Sequence, residues 1–344
     1  MFSLKLSSIY RKDLLLKLLL LVGLFVIYAL FNCSNITDTI GLDENNLVAF
    51  SAIYLTDSSY TGRIVITDYD NTENYKIVSP PGLMARDAVF SRTKNKLLFG
   101  LDGIIEHGYQ FAIYDNQSDE MEKLYTNNDG DKIPLAGIMP IWDYDDKGFY
   151  FSQHNTYSTA MGIYYYDLAT KMSTIIYNPK DASVYVIGLK SQDTLIVFSN
   201  KYFLASGDSN CFFFISKTGE YLSQINNPHL VLINKNGITQ KGAYYLRWNE
   251  LNQQFVYSAI NSDQEGFAIS ITNIDGSFYK QYTSTKFDTR PIWGPGNSII
   301  FFNRQIEYDD EEQLYMINTT TGQVEKFINP ANIDGADQIV DAAY

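Results

Sequence analysis

The chain has 344 residues, 15% of them aromatic, with 27 Tyr and 21 Phe, and a formal net charge of -13. That acidic balance, with no basic run beyond the first 17 residues, argues against a nucleic-acid partner. Two cysteines, Cys33 and Cys211, cannot build a disulfide framework. The aromatic load points to strands, since aromatic and β-branched side chains fill a pleated, half-buried surface.

The N-terminus reads as an address. Lys5, Arg11, Lys12 and Lys17 stand against one acid, Asp13, and residues 18–31 are continuously apolar. That run is short of the roughly 20 residues a spanning helix needs, and it suits the apolar region of a signal peptide behind a positive start. It stops at Ala29-Leu30-Phe31-Asn32-Cys33, which resembles a lipobox, with Leu30 three before the cysteine and Asn32 in place of the usual small residue. The resemblance implies lipid on Cys33; an uncleaved signal/anchor helix and ordinary secretion are the alternatives. Residues 1–33 are then a lipoprotein signal peptide, 34–40 a tether and 41–344 the folded domain. With Cys33 consumed, Cys211 in Asn210-Cys211-Phe212-Phe213-Phe214-Ile215 reads as a core thiol in a buried strand.

Beyond residue 40 the sequence repeats. Residues 43–52 read as a turn followed by a second strand, and 63–68 and 74–78 as the third and fourth. A four-strand unit follows at 87–91, 96–99, 111–115 and 122–126, and another at 140–142, 148–152, 163–167 and 173–177. A degenerate copy occupies 184–190, 194–199, 211–216 and 221–225. The next has 245–248, 254–258, 268–271 and 279–283, after an insertion at 229–242. The clearest copy begins Asp288-Thr289-Arg290-Pro291-Ile292-Trp293-Gly294-Pro295-Gly296-Asn297 and continues through an apolar strand at 299–302 and a hairpin about Thr321-Gly322. Phe90, Trp142, Leu189, Trp248 and Trp293 hold equivalent first-strand positions, 45 to 59 residues apart. Such periods suit four-stranded propeller blades.

These units resemble the WD40-like repeat of TolB and related propellers, with Pro-x-Trp in the first strand, a tight turn and an apolar second strand. The resemblance implies an all-β, six-bladed β-propeller of four-stranded blades, in which the Trp packs between blades and turn residues adopt positive φ. The first blade lacks its first strand at the N-terminus. Residues 338–344 resemble 288–293, and Tyr344 lies 51 residues beyond Trp293. The C-terminal strand is therefore expected to join the N-terminal blade and close the ring, leaving no open sheet edge at the seam.

In such a fold the second-to-third connections share one face, and here they read as the long loops: 55–62, 101–109, 153–162, 200–210, 261–266 and 304–312. Long loops gathered on one rim suggest a binding surface. Candidate rim residues are Tyr60, His107, His154, Tyr157, Tyr202, Arg304, Tyr308, Asp309 and Asp310. The tyrosines suit stacking on sugars or anchoring a protein. His107 and His154, beside Asp102 and Glu106, are weak metal candidates, and a solvated surface explains them more simply. The run Asp309-Asp310-Glu311-Glu312 lacks the spacing of a calcium loop and reads as a solvated loop. Asp87, Asp288 and Asp341 recur near the starts of first strands and read as a repeated structural cap rather than a ring at the channel mouth.

No Gly-x-Ser-x-Gly, His-Glu-x-x-His, phosphate loop or repeated Asp-box is present. The expected function is a non-catalytic cell-envelope lipoprotein without a cofactor, membrane-bound through its N-terminal lipid and binding an envelope protein through the propeller rim. The alternative is binding or processing of a surface glycan, including as a metal-dependent lyase or hydrolase.

Overall fold

The computed structural model describes residues 46–344, apart from 57–58, 103–108, 129–130, 155–160, 181, 200–211, 231–233, 236–237, 240–242, 262–265, 285–286 and 307–310. The expected signal segment, the tether, Cys33 and Cys211 lie outside the described residues. Among those described, no helix is long and apolar enough to cross a membrane.

Among the described residues of the compact unit 42–344, everything regular is β-strand apart from two short 3-10 turns. The strands fall into four-membered antiparallel groups. The first holds β1 (Leu47–Thr56), β2 (Ser59–Asp68) and β3 (Asn71–Ile77). Next come β4 (Ala85–Phe90), β5 (Lys96–Leu101), β6 (Tyr109–Asp115) and β7 (Glu120–Lys123), followed by a separate hairpin, β8 (Tyr125–Asn128) and β9 (Asp131–Pro134). The third group is β10 (Ala136–Trp142), β11 (Gly148–His154), β12 (Met161–Asp167) and β13 (Met172–Tyr177). The fourth is β14 (Val184–Ser191), β15 (Thr194–Ser199), β16 (Phe212–Ser216) and β17 (Tyr221–Gln224). A small hairpin, β18 (Asn234–Lys235) and β19 (Ile238–Thr239), precedes β20 (Ala243–Asn249), β21 (Gln254–Asn261), β22 (Gly266–Asn273) and β23 (Tyr279–Gln281). The last group is β24 (Asp288–Trp293), β25 (Ile299–Arg304), β26 (Gln313–Asn318) and β27 (Val324–Lys326). The final strand, β28 (Gln338–Ala343), pairs antiparallel with β1 through Ala52–Ile339 and Ala49–Ala343 and supplies the fourth strand of the first group.

Period-two alternation explains why these sheets stack face to face. Along β5, Leu97 and Phe99 pack with Leu47, Ile64 and Ile66 of the first group. Leu98, between them, packs with Phe111, Trp142, Phe149 and Phe151 toward the third. The same two-sided burial continues from third to fourth group around Val186, Leu195 and Phe213. It passes from fourth to fifth around Phe212, Leu246 and Phe255, and from fifth to last around Ile269, Trp293 and Phe302. It returns to the first group where Ile299, Phe301 and Leu314 meet Val48, Phe50 and Ile339. The first strands also touch in sequence: β28 with β4, β4 with β10, β10 with β14, β14 with β20, β20 with β24, and β24 with β28.

The expected tight hairpins are present. Lys94, Asp146, Gln253 and Asn297 take positive φ in the first-to-second turns, as do Gly219, Gly276 and Gly322 in the third-to-fourth. At Gly219 a side chain would also strike the Ile176 carbonyl. Two expectations need correction. Residues 55–62 are not an open loop, because β1 runs to Thr56 and β2 starts at Ser59, so Tyr60 is a strand residue paired with Leu55. The outer strand of the second group ends at Lys123. Tyr125 and Thr126, expected at the end of that strand, belong instead to the β8–β9 hairpin, with Asn128 opposite Asp131.

Candidate functional site

The first strands share a distortion. Asp87, Met139, Tyr245, Arg290 and Asp341 all take φ between 51° and 54°. Each stands three residues before Phe90, Trp142, Trp248, Trp293 or Tyr344, the positions aligned by the repeat. Pairing with the second strand slips there, between Arg86 and Val89, Ile138 and Ile141, Tyr244 and Arg247, and Thr289 and Ile292. Bulky residues rarely enter this region. A β-bulge explains it: the extra residue leaves the ladder and its side chain is re-aimed. The recurrence places these five side chains at one level of the innermost strands.

A charged cluster results. Arg290 Nη1 contacts both carboxylate oxygens of Asp341, at 2.7 and 2.6 Å. Asn303 Nδ2 donates to Asp341 Oδ1 at 3.2 Å and to Glu312 Oε2 at 3.0 Å, while Asn303 Oδ1 accepts from the Asp341 amide. Arg86 Nη2 meets Asp102 Oδ2 at 2.7 Å, and its guanidinium lies 4.6 Å from the Tyr109 ring centre. Arg290 lies 5.6 Å from the ring of Tyr245, which is exposed. Arg247 donates to the Leu246 carbonyl at 3.0 Å.

Burial governs the electrostatics of these groups. It pushes the Asp87 carboxyl up; Asp341 adds to the rise, while Arg247, Arg290 and Arg86 oppose it. Burial pulls the Arg247 guanidinium down, against Asp87 and Asp341. It also works against Arg290, but the charge and hydrogen bonds of Asp341 outweigh it and hold that guanidinium above its ordinary value. Burial likewise raises Tyr60 and Tyr109, whose phenols feel Arg86 and Arg290. Both therefore remain protonated donors at neutral pH.

Of the sequence-predicted rim residues, Tyr60 sits beside this cluster, on the second-to-third side of the first group, and is 54% exposed. Arg304 ends β25 and is committed to Asp288, with Nε–Oδ1 at 2.7 Å and Nη2–Oδ2 at 2.9 Å. His154 ends β11 opposite Met161; its side chain lies outside the described residues. His107, Tyr157, Tyr202, Tyr308, Asp309 and Asp310 also lie outside them. Among the described residues no group of three or more His, Cys, Asp or Glu is arranged to hold a metal.

The three recurring aspartates are not equivalent. Asp288 is buried against Arg304 and serves structure, whereas Asp87 and Asp341 occupy bulge positions that align with Met139, Tyr245 and Arg290. Sequence reasoning missed Arg86, Tyr109, Tyr245, Arg247 and Arg290. The available signal was the position three before each aligned Phe, Trp or Tyr, which varies in chemistry but not in place.

These strand groups define an all-β protein of the β-propeller class. The fold is that of the TolB-like propellers. TolB from Acinetobacter baumannii aligns with a TM-score of 0.63 at 13% identity, over 88% of this chain and 67% of its own. A TolB structure from Agrobacterium tumefaciens aligns at 0.53 and 12% identity, over 82% and 89%. A nidogen/laminin complex structure aligns at 0.54 and 7% identity, over 86% and 97%. No family model matches the sequence, and no curated protein matches it.

Proposed function

We infer that this chain is a cell-envelope lipoprotein, anchored through lipid on Cys33, whose six-bladed ring binds a protein partner on the face carrying the second-to-third connections. Closure of the ring is supported by the pairing of β28 with β1 and by sheet-to-sheet packing that returns to its start. The observation that carries the binding reading is the convergence of Tyr60, Arg86–Asp102, Tyr245 and Arg290–Asp341 at one mouth of the inner strands. Exposed tyrosines beside arginines are the side chains that dominate protein interfaces. The neighbouring folds agree with it: two are TolB structures and a third is a protein–protein complex.

The test is a cross-linked pull-down from membranes with the full-length tagged chain, beside a variant with Tyr60, Tyr157, Tyr202 and Tyr308 changed to Ala. A specific protein captured by the parent and lost from the variant supports the reading. No protein in either sample, with retention of the parent on a surface-glycan array, replaces it with glycan binding. The anchor is tested separately: labelled palmitate should enter the parent and not Cys33→Ala.

A further inference from the structure

Two charges in the inner cluster have no counterion in contact. Arg86 is taken by Asp102 and Arg290 by Asp341. Among the described residues the Asp87 carboxylate accepts no hydrogen bond and enters no ion pair, and Arg247 has only the Leu246 carbonyl. Both sit deep among protein atoms yet keep part of their surface open. Asp87 is on β4 and Arg247 on β20, three steps apart in the order of touching first strands whichever way it is followed. In the closed ring proposed above this sets them on opposite sides of the inner space, near enough for each to feel the other's charge.

Charges this deep are expensive unless compensated. Here each is answered only from a distance, and burial dominates both, raising Asp87 and lowering Arg247. A lone anion drawn to Arg247 would meet Asp87 and Asp341, and a lone cation drawn to Asp87 would meet Arg247, Arg290 and Arg86. A molecule carrying both charges, suitably separated, satisfies both. The rings of Tyr245 and Tyr109 lie beside Arg290 and Arg86 in the same cluster, and such aromatic surface suits a short apolar spacer between the two charges.

We propose that Asp87 and Arg247 form the two ends of a site for a small zwitterion, with an ammonium on Asp87 and a carboxylate on Arg247. The site uses the strand order described above and does not depend on a protein partner at the rim. Asp87 is the bulged residue of β4, so its strained backbone serves to aim this carboxylate.

The experiment titrates the full-length protein in detergent by calorimetry. The probes are glycine, 4-aminobutyrate and 6-aminohexanoate, with butylamine and butyrate as single-charge controls at equal ionic strength. One amino acid of the series should bind, its length reporting the span, while butylamine and butyrate do not. Asp87→Asn and Arg247→Gln, shown to be folded by circular dichroism, should each weaken binding by roughly ten- to a hundredfold, the loss of a charged hydrogen bond. Asn tolerates the left-handed backbone at 87, so that variant stands even if Arg247→Gln does not fold. Butyrate binding equally to the parent and Asp87→Asn would reduce the site to an anion site and overturn the proposal. So would equal binding of butylamine to the parent and Arg247→Gln, or no binding across the series. Asp87→Asn in the membrane pull-down should retain its partner, which separates failure here from failure of the rim interface.

Discussion

Ile339 tests the seam. It is fully buried, pairs with Ala52 of β1, and packs with Val48, Phe50, Phe301 and Leu314. Ile339→Ala removes three carbons, about 2.4 kcal/mol of transfer free energy at ~0.8 kcal/mol per methylene. The cavity left between two sheets that cannot collapse brings the cost to roughly 3–5 kcal/mol. Ile175, on outer strand β13, is 58% exposed, so the same substitution there should fall within about 0.5 kcal/mol of zero. Urea unfolding, followed by tryptophan fluorescence and circular dichroism, should show a lower midpoint with an unchanged slope for Ile339→Ala alone. In a domain this size the melting temperature should fall by roughly 6–10 °C. If Ile339→Ala and Ile175→Ala behave alike, the C-terminal strand does not complete the first sheet, and no ring is closed through it.

The three tryptophans make a second comparison. Trp142 Nε1 donates to the Val89 carbonyl across neighbouring groups at 3.0 Å, while the buried Nε1 atoms of Trp248 and Trp293 have no hydrogen-bond partner. Trp142→Phe should therefore cost about 1–2 kcal/mol more than Trp293→Phe in urea unfolding. Arg304→Gln strips a fully buried Asp288 of its guanidinium and should cost about 3–5 kcal/mol. Changing Asp288 to Asn as well should recover part of that loss, because the buried negative charge that Arg304 balanced is then removed too. Asp87→Asn should stabilise the protein at pH 7. The folded carboxyl, facing Asp341 on β28, Arg247 on β20, Arg290 on β24 and Arg86 on its own strand, holds its proton more tightly than the unfolded one. Ionisation thus costs stability above the unfolded value, and the gain should vanish below about pH 4, where both states are protonated.

Much of this fold is legible in the sequence because its determinants are local. A tight turn needs positive φ, so Asp145-Asp146-Lys147-Gly148 and Pro295-Gly296-Asn297 announce hairpins, and both occur. Burial on both sheet faces needs long apolar runs, so Ile299–Phe302 and Gly148–Ser152 announce second strands. The C-terminal strand was legible because Asp341 to Tyr344 repeats the pattern around Arg290 to Trp293. The inner site was not. Its bulge is set by pairing with the neighbouring strand, not by residue type, so Asp87, Met139, Tyr245, Arg290 and Asp341 share no side-chain chemistry. The ion pairs join residues as far apart as Arg290 and Asp341, through contacts between strand groups that spacing alone does not orient. The β8–β9 hairpin escaped because Asn127 to Asp131 serves a linker and a hairpin turn equally well.

We propose that a protein partner docks on the face carrying the second-to-third connections. A photo-cross-linking amino acid placed at position 60, at the mouth of the inner cluster, would capture that partner in place. The control places the same group at the exposed position 147, in the first-to-second turn at the opposite end of the strands. Irradiation of intact membranes should join a discrete protein to the chain from position 60 and not from position 147. Cross-links from position 147 alone, or identical ones from both positions, would mean that the partner does not dock on that face.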